Sequence, residues 1–215
     1  MYDDRHAAGV ALAAELQELE MDHPVVLALP RGGVPVALPV AQALQAPLDL
    51  ILVRKIGVPG QPELAAGAMV AGPPEQVFWN RDILSALRLS EADMVAKKAK
   101  ARTELARRRG TWGAAEPVSV DGRDVIVIDD GIATGATMRA ALMALRTRNP
   151  VRIILAVPVA ARDTLEALTP LVDNVVCPLV PALFRAVGLH YRVFTQVSDA
   201  DVGRMMTAAR KASAG

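Results

Sequence analysis

Uninterrupted apolar runs constrain this chain more than any other feature. They are VVLAL (Val25 to Leu29), LILV (Leu50 to Val53), VIVI (Val125 to Ile128) and IILAV (Ile153 to Val157). Each is short and lacks the alternation of a strand with one wet face, so each predicts a strand covered on both faces. Helix-length stretches separate them, at Val34 to Leu44, Ser90 to Arg109 and Gly135 to Arg148. In the last, Met138, Ala141, Leu142 and Leu145 share one helical face, and Pro150 follows as a stop. Alternating strands and helices predict an α/β fold, a mostly parallel twisted sheet with helices on both faces. The proline- and glycine-rich segment Ile56 to Asn80 breaks the rhythm. It reads as a loop, an antiparallel strand and a further short strand at VFW.

A chain of 215 residues suits one sizeable core, and no composition break asks for a second. Its 24 basic and 23 acidic residues leave a formal charge of +1, so no global field argues for nucleic acid or a membrane surface. No apolar run reaches membrane-spanning length, and the start, MYDDRHAAGVALAAEL, lacks the basic and apolar regions of a signal peptide. The lone Cys177 sits in the apolar run VVCPLV and reads as a buried, inert thiol in a reducing compartment. A soluble, cytoplasmic protein is expected.

Ser90 reads as a helix N-cap, with Glu91 and Asp93 in the first turn and Arg107, Arg108 and Arg109 at the far end. The basic run KKAKARTELARRR lacks interleaved aromatics, so we read it as a solvated helix face rather than a nucleic-acid surface.

The stretch VIVIDDGIATGATM, Val125 to Met138, points to a ligand site. In an open parallel sheet, ligands bind beyond the carboxyl ends of strands, which is where Asp129 and Asp130 fall. The small residues of GIATGAT let backbone N–H groups converge at a helix start, a setting that favours an anion. Thr134 and Thr137 add hydroxyls. No lysine follows, so this phosphate cradle is not a P-loop. Two adjacent carboxylates suit the vicinal hydroxyls of a ribose, each of which can donate to an acid. A plain turn with Asp130 capping the next helix is the alternative.

These residues resemble the 5-phosphoribosyl-1-pyrophosphate (PRPP) signature of the type I phosphoribosyltransferases. The resemblance extends to ALPRGGVPVALPVAQAL, where that family places its pyrophosphate loop, and to DLILVRKIGVPG, where a strand ends in Arg-Lys before a mobile catalytic loop. It implies that Asp129 and Asp130 hold the ribose hydroxyls. Gly131 and the run Ala133, Thr134, Gly135, Ala136 and Thr137 would wrap the 5′-phosphate. Arg31, Gly32 and Gly33 would face the pyrophosphate, and Arg54 and Lys55 would stabilise the leaving group. Glu63 is the one acid of the expected mobile loop and a candidate general acid or base. Mg²⁺ is expected to arrive with the substrate, because the histidines His6, His23 and His190 are scattered and no metal cage of protein ligands is legible. The family also implies a homodimer, and a small hood formed by the N-terminal segment and roughly residues 178–215.

The resemblance implies transfer of the phosphoribosyl group to a small nitrogenous acceptor, a nucleobase first of all. Ala133 stands where 6-oxopurine enzymes carry an acid, which argues against hypoxanthine, guanine or xanthine. Phe184, Tyr191 and Phe194 concentrate near the C-terminus of a chain that is 3% aromatic. They suit either a roof over the acceptor or the packing of a small subdomain. The alternative function is a non-catalytic sensor of PRPP or nucleotides that keeps the same ribose-phosphate site.

Overall fold

The computed structural model describes residues 1–72, 74–112 and 117–213. The first half of the chain forms α1 (Arg5–Gln17), β1 (Val25–Ala28), α2 (Gly33–Ala43), β2 (Leu48–Leu50), β3 (Val53–Val58), β4 (Gln61–Val70) and β5 (Gln76–Trp79). Then come α3 (Arg81–Ala86), α4 (Val95–Thr111), β6 (Asp124–Ile128), α5 (Ala136–Arg146), β7 (Arg152–Ala156), α6 (Arg162–Leu168), β8 (Asn174–Val176) and α7 (Asp199–Ser213).

The expected parallel sheet forms, with strand order β2-β1-β6-β7-β8. Its strands read as continuous apolar runs because both faces are covered, and alternate residues feed different cores. Val26, Ile126, Ile128 and Ile154 pack with Leu12, Leu16, Val36, Val40 and Met206 from α1, α2 and α7. Val25, Val125, Val127, Ile153 and Leu155 pack on the other face with Met138, Leu142 and Leu145 of α5. Each such fully buried aliphatic side chain contributes on the order of 2 kcal/mol of transfer free energy. Gly9 lets α1 approach α2 closely, since a Cβ there would lie 2.3 Å from the Val36 carbonyl oxygen.

Strand order reverses between β1 and β6. From β1 the chain moves outward to β2, and from β6 it moves the other way to β7 and β8. The crevice beyond the carboxyl ends of these two strands is therefore the topological switch point. Leu29 N–H donates to Ile128 O over 2.8 Å, which locks the two exits side by side.

Two expectations are corrected. The run LILV is not one strand: β2 ends at Leu50, and Val53 opens β3 of a separate antiparallel sheet, β3-β4-β5. Nor does β3 end at Arg54-Lys55 before a loop. It continues to Val58, turns at Pro59-Gly60 and returns as β4, with register irregularities at Ile56/Gly57 and Gly57/Val58. The predicted helix at Ser90 opens with reciprocal Ser90 and Asp93 bonds and a 3₁₀ turn (Ala92–Met94) before α4. Its arginines meet acids: Arg102 pairs with Glu75, Arg107 and Arg108 with Glu104, and Arg109 with the buried Asp49. Cys177 is half-buried, and burial pushes its thiol up to about 11. Among the described residues, no helix is long and apolar enough to cross a membrane.

Candidate functional site

The acidic pair leaves the end of β6 into the switch-point crevice. Asp130 N–H donates to Asp129 Oδ1 over 2.8 Å, which fixes the first carboxylate against the second backbone unit. Burial, then the neighbouring Asp130 charge, pushes the Asp129 carboxyl well above the usual carboxylate range. Burial also raises Asp130, but a nearby cation opposes the shift. That cation is Arg5 of α1, whose Nε lies 2.7 Å from Asp130 Oδ2 with the two side chains only 11% and 15% exposed. The pair is thus asymmetric: Asp130 has a cation at hydrogen-bond distance, whereas Asp129 accepts from a backbone N–H.

The turn after β1 faces it. The Pro30–Arg31 peptide is cis, and Gly33 N–H closes back on Leu29 O at 3.0 Å. Gly32 and Gly33 were expected to face the pyrophosphate. The structure also gives both a reason to be glycine. A Cβ on Gly32 would lie 2.0 Å from Asp130 Oδ2, and one on Gly33 would lie 2.7 Å from Ile128 O. These glycines make room for the β6 exit and its carboxylate. The Arg31 side chain is 39% exposed, with Nη1 3.6 Å from Asp199 Oδ1 of α7.

The loop that follows Asp130 carries the cradle. Gly131 is crowded by Val187 and Val159, either of which a Cβ would strike within 3 Å. Ile132 is pinned by its N–H to Val159 O, and the Ala133 carbonyl accepts from Thr164 Oγ1 at 2.6 Å. Gly135 adopts φ +70, a left-handed conformation that favours glycine, and caps α5 with no side-chain hydrogen bond. Arg139 N–H donates to Gly135 O as the helix begins, so the amides of Ala136, Thr137 and Met138 precede the helical ladder. Ala133, Thr134, Ala136 and Thr137 are exposed. Exposed hydroxyls and helix-start amides together offer an anion several donors.

Lys55 lines a cavity together with two residues of the cradle, whereas Arg54 and Glu63 do not. Lys55, Ala136 and Thr137 line one cavity of about 360 Å³ between the small sheet and α5. Lys55 Nζ also donates to Glu63 O over 2.7 Å across the hairpin. Arg54, next along β3, points to the opposite face, with Nη1 3.9 Å from Glu104 Oε1 of α4. The Glu63 side chain is 98% exposed on the hairpin, 3.7 Å from Lys55 Nζ. The residues gathered at the crevice are therefore Arg31 to Gly33 and Asp129 to Thr137, while Lys55 lines a neighbouring cavity with Ala136 and Thr137.

The amino-terminal segment with Asp3 and Arg5 was expected beside the C-terminal roof, but the contact of Arg5 with Asp130 was missed, since no local pattern marks it. The C-terminal aromatics were noted without their contacts. Tyr191 Oη donates to the Asp130 carbonyl at 2.6 Å, and the Arg5 guanidinium lies 3.7 Å over the Phe194 ring. Tyr191 packs against Phe194 and Tyr2, while Phe184 stacks on His190. Residues 2 and 3 pair with 190–193 through Tyr2 N–H to His190 O, Arg192 N–H to Tyr2 O and Val193 N–H to Asp3 O. Arg5, Arg31, Gly32, Asp130, Phe194 and Gln196 line a cavity of about 380 Å³ under this segment. Among the described residues, no cluster of three or more His, Cys, Asp or Glu could hold a metal ion.

This arrangement has known counterparts. Proteins of Mycobacterium tuberculosis strains CDC 1551 and H37Rv, provisionally described as phosphoribosyl transferases, are each 45% identical to this chain over 203 residues. The match covers 94% of this chain and 45% of theirs, so the chain spans about half the length of these relatives. The crystal structure of TT1426 from Thermus thermophilus superposes with a TM-score of 0.83 at 39% identity, covering 96% of this chain and 98% of that one. A family model described as the phosphoribosyl transferase domain matches residues 2–182. The chain belongs to the phosphoribosyl transferase domain family.

Proposed function

We propose that the chain transfers the 5-phosphoribosyl group of PRPP to a nitrogen nucleophile, a nucleobase being the first candidate. One observation carries the reading. The acidic pair and the donor-rich start of α5 follow one strand, and the Arg31-Gly32-Gly33 turn flanks them across the switch point.

In this reading the amides and hydroxyls of Ala133 to Thr137 bind the 5′-phosphate. Asp129 and Asp130 accept from the ribose hydroxyls and set the sugar over the end of β6. The bond from C1 to the diphosphate oxygen breaks, and diphosphate leaves with the electron pair. The acceptor nitrogen then forms the new bond to C1 and releases its proton to solvent. Arg31 beside the crevice and Lys55 beside the cradle oppose the charge that grows on the leaving group. Placing the sugar and acceptor together supplies the orientational part of catalysis. Arg54 and Glu63 receive no direct role, because each is turned toward other groups. The N-terminal segment and roughly residues 178–215 serve as a hood over the acceptor.

The Asp129 and Asp130 carboxylates beside the crevice fit a Mg²⁺ ion that would arrive with PRPP, since hard divalent cations take oxygen ligands. Such an ion would neutralise the diphosphate as it departs.

A second reading, a non-catalytic sensor, draws on the same geometry. Glu63, the one acid expected to serve as general acid or base, is 98% exposed on the hairpin and lines neither of the two cavities described above. Pyrophosphate release from PRPP with Mg²⁺, screened across nucleobases and small amines, separates the two. Calorimetric binding of PRPP without turnover on any acceptor would favour the sensor, and no binding would sink both.

A further inference from the structure

Arg5 makes three contacts that few surface arginines combine. Its Nε donates to Asp130 Oδ2 at 2.7 Å, its Nη1 donates to the Thr195 carbonyl at 2.8 Å, and its guanidinium carbon lies 3.7 Å over Phe194. A planar guanidinium held by two directional bonds and a stacked ring has little freedom left. On its other side Asp130 Oδ2 meets Gly32, where even a Cβ would be only 2.0 Å away. Oδ2 is thus enclosed between Arg5 and the Gly32 turn. The Asp130 backbone is held separately, by Tyr191 Oη on its carbonyl and Asp129 Oδ1 on its N–H.

We propose that Arg5 is a positioning residue: it clamps one oxygen of Asp130 and so presents the acid to a ribose hydroxyl. This rests on the PRPP reading above and adds to it a residue from the other end of the chain. Because the same guanidinium also grips Thr195 and Phe194, the 193–197 segment and the diol acids are set by one side chain.

Among the described residues, the charged and titratable groups that face Asp130 are few. They are Asp129 on its own loop, Arg5 from α1, and Arg31 from the β1–α2 turn with its partner Asp199 of α7. Tyr191 adds a phenol. Of the two cations lining the Asp130 cavity, Arg5 is at hydrogen-bond distance. An uncharged replacement therefore leaves a buried carboxylate next to another, and one of them must take up a proton at higher pH.

The test uses the full chain and the variants Arg5→Gln and Arg5→Lys. Carboxyl ¹³C titration of the ligand-free protein, with Asp130 assigned through Asp130→Asn, is read first. Arg5→Gln should move the Asp130 midpoint upward, whereas Arg5→Lys should stay near the parent. Calorimetry with PRPP and Mg²⁺ at pH 6 and pH 8 follows. Each variant is compared with the parent at the same pH, which cancels titration of the ligand. Arg5→Gln should bind at least tenfold more weakly than the parent at pH 6, with a smaller deficit at pH 8 and partial rescue by Arg5→Lys. A parent-like Asp130 midpoint in folded Arg5→Gln, or an equal loss at both pH values, would overturn the proposal. So would unfolding of both variants, which would make Arg5 a support of the fold instead. A parent that does not bind PRPP sinks the functional reading, while the ligand-free titration still decides the role of Arg5.

Discussion

Tyr191 Oη donates to the Asp130 carbonyl over 2.6 Å, joining the end of β6 to a residue 61 positions later. The bond fixes the backbone of an acid whose side chain is separately fixed by Arg5. Removing the hydroxyl in Tyr191→Phe keeps the ring against Phe194 but leaves that carbonyl without its donor. A stability loss of about 1 kcal/mol is expected, with a larger proportional loss of PRPP affinity. Urea unfolding and calorimetry on the same variant check the two parts.

Burial raises the phenol of Tyr191, and it raises Tyr2 in the same direction. These are the two tyrosines of the chain. The folded state holds both protons more tightly than the unfolded chain, so the stability they contribute is complete below about pH 10, the unfolded value, and lost as pH rises from there through the higher folded values. Absorbance at the phenolate band should stay flat through that pH in the native protein and step up there in denaturant. A native step at pH 10 would contradict the packing of Tyr2 on Tyr191.

The acidic pair should split on mutation. Asp129 has a folded pKa raised by burial and by Asp130, so its ionisation costs stability as pH rises above the unfolded value near 4. At pH 7, Asp129→Asn removes that cost, and a melting temperature about 3 °C higher is expected, near 1 kcal/mol for a chain of this size. Asp130→Asn instead leaves Arg5 half-buried without its carboxylate and should not stabilise. PRPP affinity should fall in both. Thermal melts that rose equally for the two variants would show that the Arg5 pair contributes nothing.

At the opposite end of β6, Asp124 is 3% exposed and accepts from Arg152 Nη2 at 2.7 Å, Arg152 Nε at 3.1 Å and Asp22 N–H at 2.8 Å. The Arg152 guanidinium holds its carboxyl below the usual range. The sign is opposite to that of Asp129: this stability is present above about pH 4 and lost as pH falls through the lower folded value. Asp124→Asn should cost about 3 kcal/mol at neutral pH, with little change in PRPP affinity. Urea midpoints at pH 7 and in acid measure it, and the gap between variant and parent should close in acid.

Gly32→Ala tests the enclosure of Asp130. The added methyl would overlap Oδ2, so the carboxylate must swing away and the Arg5 contact must lengthen. A loss of more than tenfold in PRPP affinity is expected, about 1.4 kcal/mol or more. The melting temperature should fall by only a few degrees, because Gly32 lies outside the two main cores. Unchanged affinity in calorimetry would mean that Asp130 does not need this position.

Much of this was readable in the sequence. VIVI and IILAV announced themselves as buried strands because nothing polar interrupts them, and the acids with the glycine loop fall beyond a strand end at the switch point, as expected. LILV misled for the same reason. An apolar run does not say where one sheet ends, and Leu50 and Val53 serve different sheets. The glycines and prolines after Lys55 suggested a loop, yet β-bulged pairing with β4 accommodates them. The contact of Arg5 with Asp130 was out of reach, since that partner lies 125 residues away and nothing local to Arg5 differs from a solvated helix start.

The parallel bridge between Tyr2 and Tyr191, with Arg5 gripping Asp130 beside it, also sets an order of events during synthesis. The residues of the cradle leave the ribosome well before the segment that clasps the amino-terminal arm. Until residue 191 has emerged, that arm has no strand-like partner and Asp130 lacks its phenol. A nascent chain would therefore carry the loop after Asp130 without the contacts that hold that acid in place. Long-range closure of this kind is slow relative to local helix formation, so gain of ligand binding should trail gain of helical signal in refolding.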